Sequence, residues 1–135
     1  MKRMVLAVVA VFVAWGVMDF VLHGVVLGPT YAATASLWRP MAEMKMGLMY
    51  AVTLTVAACF VLSYGWLVGR KSVARGVMFG TLFGLASGMS MGWGTYCVMP
   101  IPLNLAVSWM VGTLIEGIVA GVIVGVVVKG AVVSG

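Results

Sequence analysis

Residues 76–92 read GVMFGTLFGLASGMSMG and carry no charge. A glycine stands at every fourth position of this stretch: Gly76, Gly80, Gly84, Gly88 and Gly92. Small residues at this spacing in a membrane helix allow a second helix to approach closely, backbone against backbone. Four residues turn an α-helix through about 400°, so the glycines form a slowly turning groove. The stretch predicts a transmembrane helix whose packing depends on its glycines.

A second glycine ladder, at Gly117, Gly121 and Gly125, lies in the last apolar stretch of the chain. We expect the two ladders to pack against each other at a right-handed crossing near −40°. A contact with a second copy or with another subunit is the alternative, because the two ladders exceed what one helix pair needs. The pattern is specific for close packing and does not identify the partner.

The composition indicates that the bilayer is the solvent. Of 135 residues, 64% are hydrophobic and only 8% are charged, whereas a soluble domain carries about 25% charged residues. The formal net charge of +5 comes from basic residues at predicted helix ends, which points to membrane topology. We therefore expect the lipid bilayer as a partner, and no nucleic acid.

The apolar runs and the prolines predict one all-α membrane domain over residues 1–135, a four-helix transmembrane bundle. Gly28-Pro29 ends the first helix, and Pro40 suits the first turn of the second. Pro100-Ile101-Pro102 separates the last two helices. The predicted helices cover about residues 4–27, 41–69, 73–98 and 103–128, each long enough to cross ~30 Å of hydrocarbon.

The first helix imitates a secretory signal peptide. Lys2 and Arg3 precede an apolar run, and Ala33-Thr34-Ala35 resembles a cleavage site. The apolar run is about twice the usual length of a signal-peptide core, and it contains Asp19 and His23. We expect a retained transmembrane helix.

Lysines and arginines are distributed unequally between the two sides of the predicted membrane. One side has Arg39 and Lys45. The other side has Lys2, Arg3, Arg70, Lys71, Arg75 and Lys129. By the positive-inside rule both termini are predicted to lie in the cytoplasm, which agrees with an even number of spans.

Three ionisable residues fall within predicted spans: Asp19 and His23 in the first and Glu116 in the last. A charged group in hydrocarbon costs about 2.5–3.5 kcal/mol on insertion scales, so such residues usually face the protein interior. Counted at 1.5 Å per residue from the cytoplasmic helix ends, Asp19 lies ~22 Å and Glu116 ~18 Å deep. Thr55 and Ser87 fall at ~21 Å. The sequence thus predicts a polar layer with one contribution from each helix.

This polar layer has more than one interpretation. It can be a buried network that fixes helix register, with the carboxyl groups sharing protons. It can also handle protons or ions, with His23 passing protons outward or orienting Asp19. Ligand or cofactor binding is a third interpretation. Close packing of the glycine ladders would draw Ser87 toward Glu116.

Cofactor chemistry has few candidate ligands, and no cofactor is predicted. A haem held by two histidines of one chain is excluded because His23 is the only histidine; a His–Met site or a site shared between chains remains open. Zinc needs about four ligands, and here they are scattered. Soft thioethers suit Cu(I), although methionine also fills irregular gaps in packing. The weak metal candidates are Met41, Met44, Met46 and Met49.

Several short motifs follow one another along the chain: Trp15 with Asp19, His23-Gly24, Tyr31, Leu37-Trp38-Arg39-Pro40, Gly94-Thr95-Tyr96, Trp109 and Gly117-Ile118-Val119-Ala120-Gly121. In this order they resemble small four-helix bacterial membrane proteins that are grouped as families of unknown function. The resemblance implies a four-span protein of the bacterial plasma membrane and supplies no activity. Gly28-Pro29-Thr30-Tyr31 and Gly94-Thr95-Tyr96 also suggest a parallel two-plus-two internal repeat.

The functional expectation follows from the short loops, which leave no room for a catalytic lid or a docked soluble domain. We expect a structural or accessory membrane subunit that assembles with itself or with a larger membrane complex. A small proton-coupled transporter or channel using Asp19, His23 and Glu116 is the alternative, followed by a cofactor- or metal-binding membrane protein. The chain has no recognisable catalytic motif, so an enzyme is not expected.

Overall fold

A computed structural model describes residues 1–128, and within these residues the protein is helical, without β-strands. Helix α1 spans Lys2–Asp19 and continues without a break as a π-helix over Phe20–Val26. The short helix α2 spans Gly28–Ala33, with proline in its first turn, where the missing N–H is not needed. The prediction of an all-α protein is confirmed for this part of the chain. A 3₁₀ turn over Ala35–Leu37 follows.

Helix α3 spans Met46–Leu67 and begins later than the predicted start at residue 41. Pro40 precedes a 3₁₀ turn over Met41–Glu43 instead, because the Glu43 amide donates to the Pro40 carbonyl oxygen at 2.8 Å. Met44 then has the extended angles φ −67° and ψ 130°, which prevent the turn from continuing into the helix. The proline therefore initiates a separate turn and not the membrane helix.

The glycine-rich helix runs continuously through three segments: α4 over Val73–Gly88, a π-helix over Met89–Gly94 and α5 over Thr95–Val98. Helix α6 spans Leu103–Val127, and Lys129, predicted to close it, lies outside the described residues. Three helices are long and apolar enough to cross a membrane, which indicates a membrane protein. They cover Lys2–Val26, Met46–Leu67 and Leu103–Val127.

Helices α4 and α6 are antiparallel, and their backbones touch at glycines. A Cβ atom added to Gly80 would meet the carbonyl oxygen of Gly117, and one added to Gly84 would lie 2.8 Å from the carbonyl oxygen of Thr113. The absence of a side chain is what permits this distance, since a methyl group would push the helices apart. The same contact involves Gly76, Gly88 and Gly92 of α4 and Gly121 and Gly125 of α6.

One end of the molecule carries the exposed or partly exposed cations Lys2, Arg3, Arg70, Lys71 and Arg75, and we call it the basic end. Here the buried Tyr64 fixes the turn between α3 and α4. Its hydroxyl donates to the Ser72 carbonyl oxygen at 3.0 Å and accepts from the Ser72 N–H at 3.2 Å. Ser72 in turn caps α4, because its hydroxyl accepts from the amide of Arg75 at 3.2 Å.

An apolar core fills the half of the molecule near the basic end. Its buried residues are Ala7, Val11, Trp15, Ala57, Phe60, Val61, Tyr64, Ala120, Val124 and Val128. The ring of Phe60 lies 5.9 Å from Trp15 and 5.0 Å from Phe83, between centroids. We call these three rings, from α1, α3 and α4, the aromatic layer.

Beyond the aromatic layer, α3 separates from the other helices. From Met46 to Val56 every residue except Thr53 is exposed, whichever face of the helix it occupies. The second half of the same helix contains four buried residues, among them Phe60. The molecule is therefore closely packed toward the basic end and open between α1, α3 and α4 toward the other end.

Candidate functional site

Aromatic side chains gather at the end opposite the basic end, which we call the aromatic end. Ring centroids lie 5.5 Å apart for Tyr31 and Trp38 and 6.0 Å apart for Trp38 and Trp109. The indole N–H of Trp38 donates to the Thr34 hydroxyl at 2.9 Å. These contacts fold α2 and the chain after it back against α6. They pack on a small apolar core that includes Leu27.

The hydroxyl of Tyr31 joins α6 to the π-helical end of α1. It accepts a hydrogen bond from Nε1 of Trp109 at 2.8 Å and lies 2.6 Å from Nδ1 of His23. Because an indole N–H only donates, the phenol proton is free to go to His23. Burial raises the pKa of Tyr31 above its ordinary value against the opposing effect of the Trp109 bond, so the phenol is neutral. A neutral His23 then carries its proton on Nε2.

The other nitrogen of His23 faces a pair of carboxyl groups. Nε2 lies 3.7 Å from Oδ1 of Asp19, four residues earlier. The side chain of Asp19 meets that of Glu116 within hydrogen-bonding contact. Two carboxyl groups form a hydrogen bond only when one of them is protonated, because a carboxylate has no donor. The Asp19–Glu116 pair therefore holds a proton that either residue can carry.

Trp15 fixes the relative depth of α1 and α6. Its Nε1 donates to the main-chain carbonyl oxygen of Glu116 at 2.9 Å, which leaves the carboxyl group of that residue free for Asp19. Trp109 and Glu116 are seven residues apart, so they lie on one face of α6. A continuous series of polar groups leaves α6 at its first member, crosses α2 and α1, and returns to α6. We call this series, Trp109, Tyr31, His23, Asp19 and Glu116, the polar chain.

Thr55, predicted to join the polar layer, does not reach it. It is exposed, and its hydroxyl donates to the carbonyl oxygen of Ala51 in its own helix at 2.8 Å. Thr55 is five residues from Phe60, and so it lies away from the face of α3 that packs. Thr53 is seven residues from Phe60, lies on that face and is half-buried. The correct face could not be read from the sequence because α3 is apolar all round.

Ser87 also lies apart from Glu116. Across the α4–α6 contact Gly80 faces Gly117, so Glu116 is level with about residue 81 of α4. Ser87 is six residues further along, ~9 Å at 1.5 Å per residue. Within residues 1–128 no hydrogen bond connects it to the polar chain. The prediction that ladder packing brings Ser87 beside Glu116 is wrong, because the depth count ignored the offset between the two antiparallel helices.

Tyr31 and Trp109 are members of the polar chain that the polar-layer prediction missed. Tyrosine and tryptophan near a helix end usually anchor a protein at the headgroup level, and the sequence favoured that interpretation for Tyr31. The signal that was present is a tyrosine eight residues after a histidine, on the far side of Gly28-Pro29. It becomes a contact only because α2 folds back against α6.

Metal binding finds little support in the side-chain positions. Among residues 1–128 no three histidine, cysteine or acidic residues are placed to hold one metal ion. The predicted methionine candidates are all exposed, two of them before α3 begins and two in its first turn: Met41, Met44, Met46 and Met49. Copper binding by these thioethers stays a prediction.

Comparisons with known proteins do not add to this geometry. No protein-family model, curated protein or solved structure matches the chain.

Proposed function

We propose that the chain is a four-span protein of the bacterial plasma membrane, with both termini in the cytoplasm, that transports protons. The fourth span would be the glycine-rich helix, which covers the 26 residues Val73–Val98. At 1.5 Å per residue it reaches roughly 35–39 Å, enough for the ~30 Å hydrocarbon layer. The paired glycines of α4 and α6 support a glycine-ladder contact inside the membrane.

The observation that carries the proposal is the polar chain. Tyr31, His23, Asp19 and Glu116 are joined from the aromatic end into the middle of the helices by distances of 2.6 Å, 3.7 Å and one carboxyl contact. Histidine accepts a proton on one ring nitrogen and releases one from the other. A proton that enters at Nδ1 of His23 thus leaves from Nε2 to Asp19, which shares it with Glu116. Ionisable groups inside a membrane helix are expensive and usually mark ion or proton pathways.

The interior toward the basic end favours a transporter over an open channel. Between Glu116 and that end the helices present the apolar core, with Val11, Val61 and Val124 fully buried. The hydroxyl of Tyr64 lies at the far side of this core and is already bonded to Ser72. A proton that reaches Glu116 from the aromatic end therefore needs a conformational change to continue.

The proposal is tested with purified protein in lipid vesicles that contain a pH-sensitive dye. A potassium gradient with valinomycin supplies the driving potential. We expect proton flux above that of protein-free vesicles, and its loss in Asp19→Asn and in Glu116→Gln. Glu43→Gln is the matched control because Glu43, the remaining acidic residue, lies in a 3₁₀ turn outside the helices and should leave the flux unchanged. Flux that is absent in the native protein, or equal in all variants, contradicts the proposal.

A structural or accessory subunit is the second candidate, and the separated half of α3 favours it. Apolar residues such as Leu48 and Val52 are exposed there, where a second copy or another membrane subunit could pack. In that case the purified particle exceeds the mass of one chain or retains partner chains. Gly84→Leu would disrupt the assembly, while Asp19→Asn and Glu116→Gln would leave it intact.

A further inference from the structure

The opening between α1, α3 and α4 exposes ionisable groups. The side chains of Asp19 and His23 are 43% and 32% exposed, although both belong to a helix long enough to cross the membrane. In hydrocarbon an exposed ionisable group lacks hydrogen-bond partners and is costly. The atoms that cover this part of α1 must therefore be polar.

The walls of the opening supply polar side chains from three helices. Asp19 follows Trp15 by four residues, Ser87 follows Phe83 by four, and Thr53 precedes Phe60 by seven. Each thus lies on the same helix face as one ring of the aromatic layer, displaced toward the aromatic end. Thr53 and Ser87 are half-buried. The aromatic layer closes the bottom of the opening, and the apolar core continues below it.

We propose that this opening is a water-filled vestibule that connects the aromatic end to Asp19 and His23. Lipid tails offer these side chains no hydrogen bonds, whereas water satisfies them together with the hydroxyl groups of Thr53 and Ser87. The vestibule rests on the proposed function and extends it, because it identifies the side from which protons reach the polar chain. Water stops at the aromatic layer, next to the Asp19–Glu116 pair.

Cysteine accessibility tests the vestibule. The native Cys59 and Cys97 are free and exposed, so both are first changed to serine. Thr53→Cys and Thr55→Cys then form a matched pair at nearly the same depth, one facing the opening and the other facing away. A charged, membrane-impermeant thiosulfonate is added to the protein in sealed vesicles. We expect the cysteine at residue 53 to react at least about tenfold faster than that at 55, since only a hydrated thiol ionises and reacts.

The side of entry is measured with two markers in exposed turns, Ser36→Cys at the aromatic end and Gly69→Cys at the basic end. The vestibule predicts that residue 53 reacts from the side on which residue 36 reacts. Equally slow reaction at residues 53 and 55 overturns the proposal in favour of lipid. A disulfide between two copies through residue 53, with protection from the reagent, overturns it in favour of a second copy. Equally fast reaction overturns it by placing this half of α3 in water.

The vestibule and the proton transport can fail separately. A slow reaction at residue 53, together with dye-reported flux that depends on Asp19, removes the vestibule and keeps the transport. A fast reaction at residue 53 without any flux keeps the vestibule and removes the transport.

Discussion

The phenol oxygen of Tyr31 lies 2.6 Å from Nδ1 of His23 and holds Trp109 at its other side. Tyr31→Phe removes both bonds, so His23 loses the group that orients it. We expect the vesicle proton flux to fall by roughly tenfold. The unpaired indole N–H should lower the stability by about 1–3 kcal/mol. Dye-reported flux and thermal unfolding measure the two effects. Tyr96→Phe is the control because Tyr96 is exposed and, within residues 1–128, forms no hydrogen bond through its hydroxyl; equal effects of the two changes would argue against the polar chain.

A single methyl group at the α4–α6 contact should weaken the packing. In Gly80→Ala the new Cβ meets the carbonyl oxygen of Gly117, and backbone cannot move aside as a flexible side chain can. We expect a loss of about 1–3 kcal/mol, measured by thermal unfolding in detergent or lipid. Gly16→Ala brings the same gain in helix propensity with no atom within 4 Å of its Cβ. If both variants keep native stability, the glycine contact does not hold the helices.

Tyr64 should affect stability without affecting transport. Tyr64→Phe leaves the carbonyl oxygen and the amide of Ser72 without the hydroxyl at the start of α4. We expect a loss of about 1–3 kcal/mol in unfolding free energy, with unchanged flux per folded molecule. Tyr50→Phe, at an exposed position of α3, is the matched control. Loss of flux in folded Tyr64→Phe would show that the basic end takes part in proton transfer.

Alkaline pH should affect the native protein through Tyr31. Burial raises the pKa of its hydroxyl above the ordinary value of 10.0. A raised folded-state pKa contributes stability that is fully present below pH 10.0, the ordinary value, and that is lost as the pH rises through the folded value. We expect one tyrosine to ionise later than free tyrosine in ultraviolet titration, and this late step to disappear in Tyr31→Phe. A late step that persists in the variant would assign it to another tyrosine.

Element positions were predictable where a proline or a charged turn marks the end of an apolar run. The predicted range 73–98 and the turn at Pro100-Ile101-Pro102 follow from such signals, and the structure has helices over Val73–Val98 and Leu103–Val127. The start of α3 was not predictable in this way. A proline fits the beginning of a 3₁₀ turn as well as that of an α-helix, and the local sequence does not distinguish the two.

The site was predictable in depth but not in direction. Counting residues from the helix ends brought Asp19 and Glu116 to one level, and the structure places their side chains in contact. The same count selected Thr55, which points away. Depth follows from the constant rise of a helix, whereas the inward face follows from amphipathicity, and α3 has almost none.

The two π-helical segments, Phe20–Val26 and Met89–Gly94, occupy corresponding places in the first and third long helices. Each is soon followed by a Thr-Tyr pair, Thr30-Tyr31 or Thr95-Tyr96. A π turn accommodates an extra residue, so removing one residue returns the segment to α-helix and swings everything after it by about 100°. In the first helix this rotation would turn Tyr31 away from His23. Across related chains, the number of residues in this segment should therefore tolerate less change than their identities.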